Sequence, residues 1–165
     1  TKEGVRACAW TTARPGRGGL ETGPMRPAER FQCDRRRPWL YVGATILNDL
    51  ELRPRRCIWQ HPVGERALSA EFAEVPLGDR LVVHGGVDYQ VERRERFAPV
   101  TLRVFIDDTL EGELVHRDGD GWSGLTIDTT ERAGKRASVR FETTTPDPKA
   151  RLFCYSASTQ ASAHE

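Results

Sequence analysis

The chain has 165 residues, 38% hydrophobic and 30% charged, with 25 lysines and arginines against 24 acidic residues. That length makes one ordinary domain, and a net charge of +1 excludes the strong basic excess of a dedicated nucleic-acid binder. No stretch reaches the ~18 uninterrupted apolar residues of a membrane-spanning helix.

The charge is unevenly spread. Residues 1–38 carry nine basic and four acidic residues, a net of +5. Residues 39–165 carry 16 and 20, a net of −4. The chain opens at Thr1 without a basic-then-apolar segment, as expected of a mature form or an excised piece.

Residues 1–35 read as an irregular, basic, Pro/Gly-rich arm. Pro15, Gly16, Gly18, Gly19, Gly23, Pro24 and Pro27 leave too little apolar surface to offset the entropy of ordering. Cys8 and Trp10 are the exceptions: a Cys8–Cys33 bridge, or Trp10 filling a groove, would pin the arm to the body.

A β domain is expected over residues 36–157, with a flexible tail at 158–165. Residues 39–50 (WLYVGATILNDL) are rich in β-branched and aromatic residues, and 56–60 (RCIWQ) form a short apolar run. Leu68, Ala70 and Phe72 alternate with polar residues, and 81–89 follow a Pro76-Leu77-Gly78-Asp79 turn. Val100, Leu102, Val104 and Ile106 make a strict period-two strand. Residues 112–116, 125–128, 137–142 and 152–155 complete the pattern, and no window repeats with helical periodicity. Eight or nine short strands with turn chemistry between them predict an antiparallel jelly-roll β-sandwich.

Cys8, Cys33, Cys57 and Cys154 match no zinc spacing. Two disulfides with three connectivities are open to them, and Cys57–Cys154 would tie an early strand to the last one. Disulfides imply an oxidising compartment, periplasmic or extracellular. Buried free thiols in a cytosolic protein are the alternative.

The order of features carries a resemblance. Ala73-Glu74-Val75-Pro76-Leu77-Gly78-Asp79 leads into a strand with Gly85-Gly86. The strand ending at Asp107-Asp108 follows, then Gly121-Trp122 and the closing strands at 137–142 and 152–155. Residues 39–157 thus resemble the galactose-binding-like jelly rolls, which include many carbohydrate-binding modules. The resemblance implies a β-sandwich that binds sugar or serves as a protein-contact domain.

Trp39, Trp59, Trp122, Tyr41, Tyr89 and Tyr155 are the aromatics able to stack on a sugar face, although each also suits a core. Trp59, Asp88, Tyr89, Arg94 and Trp122 are the expected ligand contacts, each near a strand end. Asp118 and Asp120 alternate with glycines, a pattern that would suit a structural calcium or simply a turn. No other cofactor is expected. The histidines His61, His84, His116 and His164 form no metal motif, and no GxSxG, Walker or GxGxxG pattern occurs. A non-catalytic extracytoplasmic binding module for a glycan or cell-envelope ligand follows. A structural protein-interaction domain is the alternative, and a small hydrolase with a cryptic site a third reading.

Two arginine clusters stand apart: Arg35, Arg36 and Arg37, then Arg53, Arg55 and Arg56. If the strands between them form a hairpin, both clusters should lie at one end as a patch for phosphate, sulfate or acidic polysaccharide. An arginine-rich surface without function is the plainer account.

Overall fold

The computed structural model describes residues 6–15, 26–94 and 96–161. The glycine- and proline-rich run 16–25 and the last four residues, with His164, fall outside them. Among the described residues there are eleven strands. They are β1 (Ala9–Thr12), β2 (Glu29–Gln32), β3 (Tyr41–Asn48), β4 (Pro54–Gln60), β5 (Leu68–Pro76) and β6 (Arg80–Val87), followed by a one-turn helix α1 (Tyr89–Glu92). Then come β7 (Val100–Ile106), β8 (Thr109–His116), β9 (Ser123–Asp128), β10 (Arg136–Thr144) and β11 (Phe153–Gln160).

The strands form two antiparallel sheets, ordered β1-β2-β3-β4-β11-β6-β9 and β5-β10-β7-β8. The last four strands of the first sheet and the four of the second are wound as a jelly roll. The core follows from period two. Val100, Leu102, Val104 and Ile106 are fully buried, opposite Val139 and Phe141 of β10 and Val83, Phe153 and Tyr155 of the first sheet. Gln60 bridges the two sheets: its amide donates to Leu68 O and Phe141 O, and its Oε1 accepts from the Tyr155 hydroxyl.

Four connections cross between sheets at one end: 61–67, 88–99, 117–122 and 145–152. The β2–β3 loop, 33–40, reaches that end as well, because Val42 pairs with Gln60. Loops are free to vary without disturbing the ladders, which suits this end to carrying a site.

Both disulfides are present, Cys8–Cys33 and Cys57–Cys154. The second joins β4 to β11, which share register at only two positions, Cys154↔Trp59 and Tyr155↔Ile58. Two cross-links in so small a domain fit an oxidising, extracytoplasmic setting.

The expectations need adjusting in four places. The arm is not irregular throughout: β1 pairs with β2, and β2 with β3, so it widens the first sheet. Trp10 fills no groove; it stands 56% exposed, edge-on to Phe31 at 5.0 Å. The polar end is strand through Gln160, because β11 pairs with β6 from Phe153 to Gln160. The arginine clusters do not merge, because β3 runs between them. Arg53 pairs with Glu51 at 3.0 Å and Arg55 with Asp49 at 2.7 Å at the hairpin turn, while Arg35, Arg36 and Arg37 precede β3.

The first sheet overhangs the second. Trp10, Phe31, Val42 and Gln60 are successive cross-strand neighbours and so share one face. Gln60 turns that face toward the second sheet, which ends at β5. Trp10 and Phe31 lie beyond it, uncovered.

Candidate functional site

The loops 33–40, 61–67 and 145–152 enclose a cleft of about 840 Å³. Its lining combines Trp39, Pro38, Pro62, Pro148 and Leu152 with Arg26, Arg37, His61, Asp147 and Lys149. A flat aromatic beside prolines and a polar rim is the chemistry of a small-ligand site.

Trp39 holds its place through its backbone. The buried indole of Trp59 donates to Trp39 O at 2.9 Å, and Tyr41 stacks on Trp59 with centroids 5.6 Å apart. That anchor leaves Trp39 45% exposed. The loop around it is tied down by one side chain together with its own backbone. The Gln32 amide donates to Asp34 O, Arg37 O and Leu40 O. Leu40 N donates to Arg37 O, and Arg37 N to Asp34 O. On the opposite wall, Thr145 donates to Asp147 O, and the Asp147 carboxylate accepts the Lys149 N–H.

His61 lies at the inner end of the Trp59 contact, its ring 6.1 Å from the indole. Its Nδ1 is 2.7 Å from Pro62 O. A carbonyl only accepts, so Nδ1 carries the proton and Nε2 an acceptor lone pair. Burial holds its pKa down at about 4, opposed by that backbone hydrogen bond, so the ring is neutral at ordinary pH.

The residues expected from the sequence behave differently. Trp59 is 1% exposed, a core residue that braces the Trp39 backbone and offers almost no surface of its own. Asp88 is buried and caps α1, its carboxylate accepting the Gln90 N–H at 3.0 Å; burial raises its pKa. Tyr89 is half-buried, with the Arg93 guanidinium 5.6 Å from its ring centre. Arg94 is exposed just past α1. Trp122 is half-buried with Arg55 5.7 Å over its ring, and a Cβ at Gly86 would approach it to 3.0 Å. These residues share the loop end with the cleft but do not line it.

Asp118 and Asp120 bind protein donors. Both oxygens of Asp118 take the Arg151 guanidinium, and Oδ2 also accepts the Phe97 N–H. Asp120 accepts the Arg117 N–H. The Gly119 and Gly121 N–H groups donate to Glu92 Oε1, which lies 3.5 Å from His116 Nε2. The turn therefore closes on a buried carboxylate, and no cluster of three or more metal-ligating side chains occurs among the described residues. Burial raises the Glu92 pKa and lowers that of His116 to about 4.

The exposed tryptophan of the cleft is Trp39, not the Trp59 expected from the sequence. The proline-flanked position of Trp39, beside Arg37 in a run of turn residues, was the available signal.

No family model and no curated protein matches this chain. Among solved structures it is similar to CBM51-2 and INT domains from Clostridium perfringens ZmpB in complex with GlcNAc. The identity is 15% and the TM-score 0.44, over 67% of this chain and 23% of that one. A second structure of CBM51-2 and INT domains from the same protein is similar at 14% identity and TM-score 0.42, over 68% and 25%. The chain spans about a quarter of the length of the structures it matches.

Proposed function

We propose that this domain is a non-catalytic, extracytoplasmic glycan-binding module whose site is the Trp39 cleft. The observation that carries the reading is an exposed indole on a braced loop, facing a cleft large enough for an oligosaccharide. The ring would stack on the apolar face of a pyranose while the rim groups bond its hydroxyls. A glycan array followed by calorimetry on the best ligand tests it, with Trp39→Ala beside the natural chain. Binding should fall at least ~10-fold in the variant, the weight of one stacked aromatic in a preformed site. Failure of every sugar to bind overturns the reading.

A second reading has an observation of its own. The overhanging face with Trp10 and Phe31 adjoins a groove of about 740 Å³ lined by Leu68, Ala70 and Phe72 of edge strand β5. Exposed apolar surface beside an open strand edge suits a protein-interaction domain. A Trp10→Ser, Phe31→Ser variant that loses a self-association seen by sedimentation would favour it.

A further inference from the structure

We infer that the Trp39 cleft selects an anionic sugar, one carrying a carboxylate or a sulfate. The inference rests on the glycan-binding reading and goes on to name the ligand class.

The charged groups in the lining are Arg26, Arg37 and Lys149 against Asp147. The chain as a whole is nearly neutral, at +1, so three cations against one carboxylate is a local concentration. Arg35 and Arg36, both exposed, stand on the same loop.

The hydrogen-bonding inventory points the same way. Guanidinium and ammonium groups only donate, and so the rim is rich in donors. Its acceptors are fewer. Asp147 already takes the Lys149 backbone N–H, and His61 offers one neutral ring nitrogen. A neutral sugar brings hydroxyls that each need an acceptor for their proton. A carboxylate or sulfate brings acceptors alone, and its bonds to arginine are charge-assisted and about twice as strong.

Arg37 is the residue placed to make that contact. Its backbone is held at both ends, by Asp34 O and by the Gln32 and Leu40 donors. Its side chain is left 61% exposed, with Asp34 only a loose partner at 3.8 Å from Nε. A braced backbone and an available planar fork suit bidentate capture of an anion.

The test uses calorimetry with four probes. They are a uronic acid trisaccharide, the same trisaccharide with its carboxylates reduced to alcohols, a sulfated counterpart of the reduced form, and a single-stranded oligonucleotide. Reduction should weaken binding about tenfold, as loss of one charge-assisted bond does. The sulfated arm tells whether sulfate replaces carboxylate. Arg37→Gln, an exposed change, should shrink the difference between charged and reduced sugars and lessen the salt dependence, the remainder being carried by Arg26 and Lys149. Equal affinity for charged and reduced forms, or a ratio unchanged in Arg37→Gln, overturns the inference but leaves the glycan-binding reading standing. Absence of binding to any sugar overturns both. An oligonucleotide that binds more tightly than either acid sugar, with the same Arg37 dependence, overturns the choice of a sugar.

Discussion

Arg151 and Asp118 form a buried two-pronged ion pair, Nη1–Oδ1 at 2.9 Å and Nη2–Oδ2 at 3.2 Å. Arg151 also donates to Ala98 O and lies 4.8 Å over Phe97, whose N–H binds Asp118. The pair thus ties the β10–β11 connection to the α1–β7 and β8–β9 connections, beside the cleft. Removing one partner leaves an uncompensated buried charge. Asp118→Asn and Arg151→Met should each lower stability by about 3–5 kcal/mol, and the double variant by less than their sum. Urea unfolding measures this. Additive losses would mean the two groups do not act as a pair.

The same contacts govern the calcium expectation. Asp118 has both oxygens engaged with Arg151, and Asp120 serves the Arg117 N–H, so the turn is complete without an ion. Neither calcium nor EDTA should move the melting temperature. A rise in Tm on adding millimolar calcium would show that the carboxylates change partners to bind it.

How legible this was from sequence depended on the range of the contacts. Val100, Leu102, Val104 and Ile106 announced β7 by strict alternation, because alternation is local and the strand has one buried face per residue parity. The bridge from Cys57 to Cys154 was open as one of three pairings, and it is the one that spans 97 residues. The choice between Trp39 and Trp59 was not legible. Both sit near strand ends, and only the long-range bond from the Trp59 indole to Trp39 O decides which ring is buried. Strands β1 and β2 escaped notice because their order comes from pairing with β3 and from the Cys8–Cys33 link, not from their own apolar content.

The two disulfides should differ in both exposure and weight. Cys57 and Cys154 are buried, whereas Cys8 and Cys33 are half-exposed at the rim of the first sheet. Mild reductant under native conditions should open Cys8–Cys33 first, giving two alkylated thiols by mass spectrometry. The chain-entropy account assigns about 3–4 kcal/mol to the 25-residue closure and about 4–5 to the 97-residue one. Paired Cys→Ala variants should follow that order in chemical unfolding.

The buried histidines set an acid limit. Burial holds His61 and His116 at about 4, below the 6.5 of an exposed histidine. The unfolded chain takes up these protons first as the pH falls. Their stability contribution is therefore full above pH 6.5 and is lost as the pH drops toward 4. Glu92 and Asp88 have raised values in the fold, so they oppose this at the acid end, where the folded chain holds a proton that the unfolded one has lost. Unfolding free energy should decline from pH 6.5 downward with a slope of up to two protons, about 2.7 kcal/mol per pH unit. His61→Gln or His116→Gln should each remove about half of that slope. A flat profile between pH 6.5 and 5 would contradict the buried neutral state.

The Gln32 amide reinforces the backbone hydrogen bonds of the loop that carries Arg37 and Trp39. Its Nε2 lies 2.8 Å from both Asp34 O and Leu40 O and 3.2 Å from Arg37 O, while Arg30 Nε fixes the amide by donating to Oε1 at 3.1 Å. Alanine at this position takes one of two donors from each of three loop carbonyls, which keep the Arg37, Leu40 and Cys33 N–H groups, and it opens no core cavity, since Gln32 is only half-buried. Global stability should change little, by about 1 kcal/mol or less, because water can replace the lost bonds. The loop itself should open more often, and Arg35 and Arg36 give trypsin two adjacent cleavage points, the Arg37–Pro38 bond being resistant. Native-state trypsin cutting in this loop should therefore accelerate severalfold in Gln32→Ala, and sugar binding should weaken in parallel as the ordering cost moves to the binding step. Cutting at the natural rate, with weakened binding, would mean that Gln32 acts on the ligand directly and not through the loop.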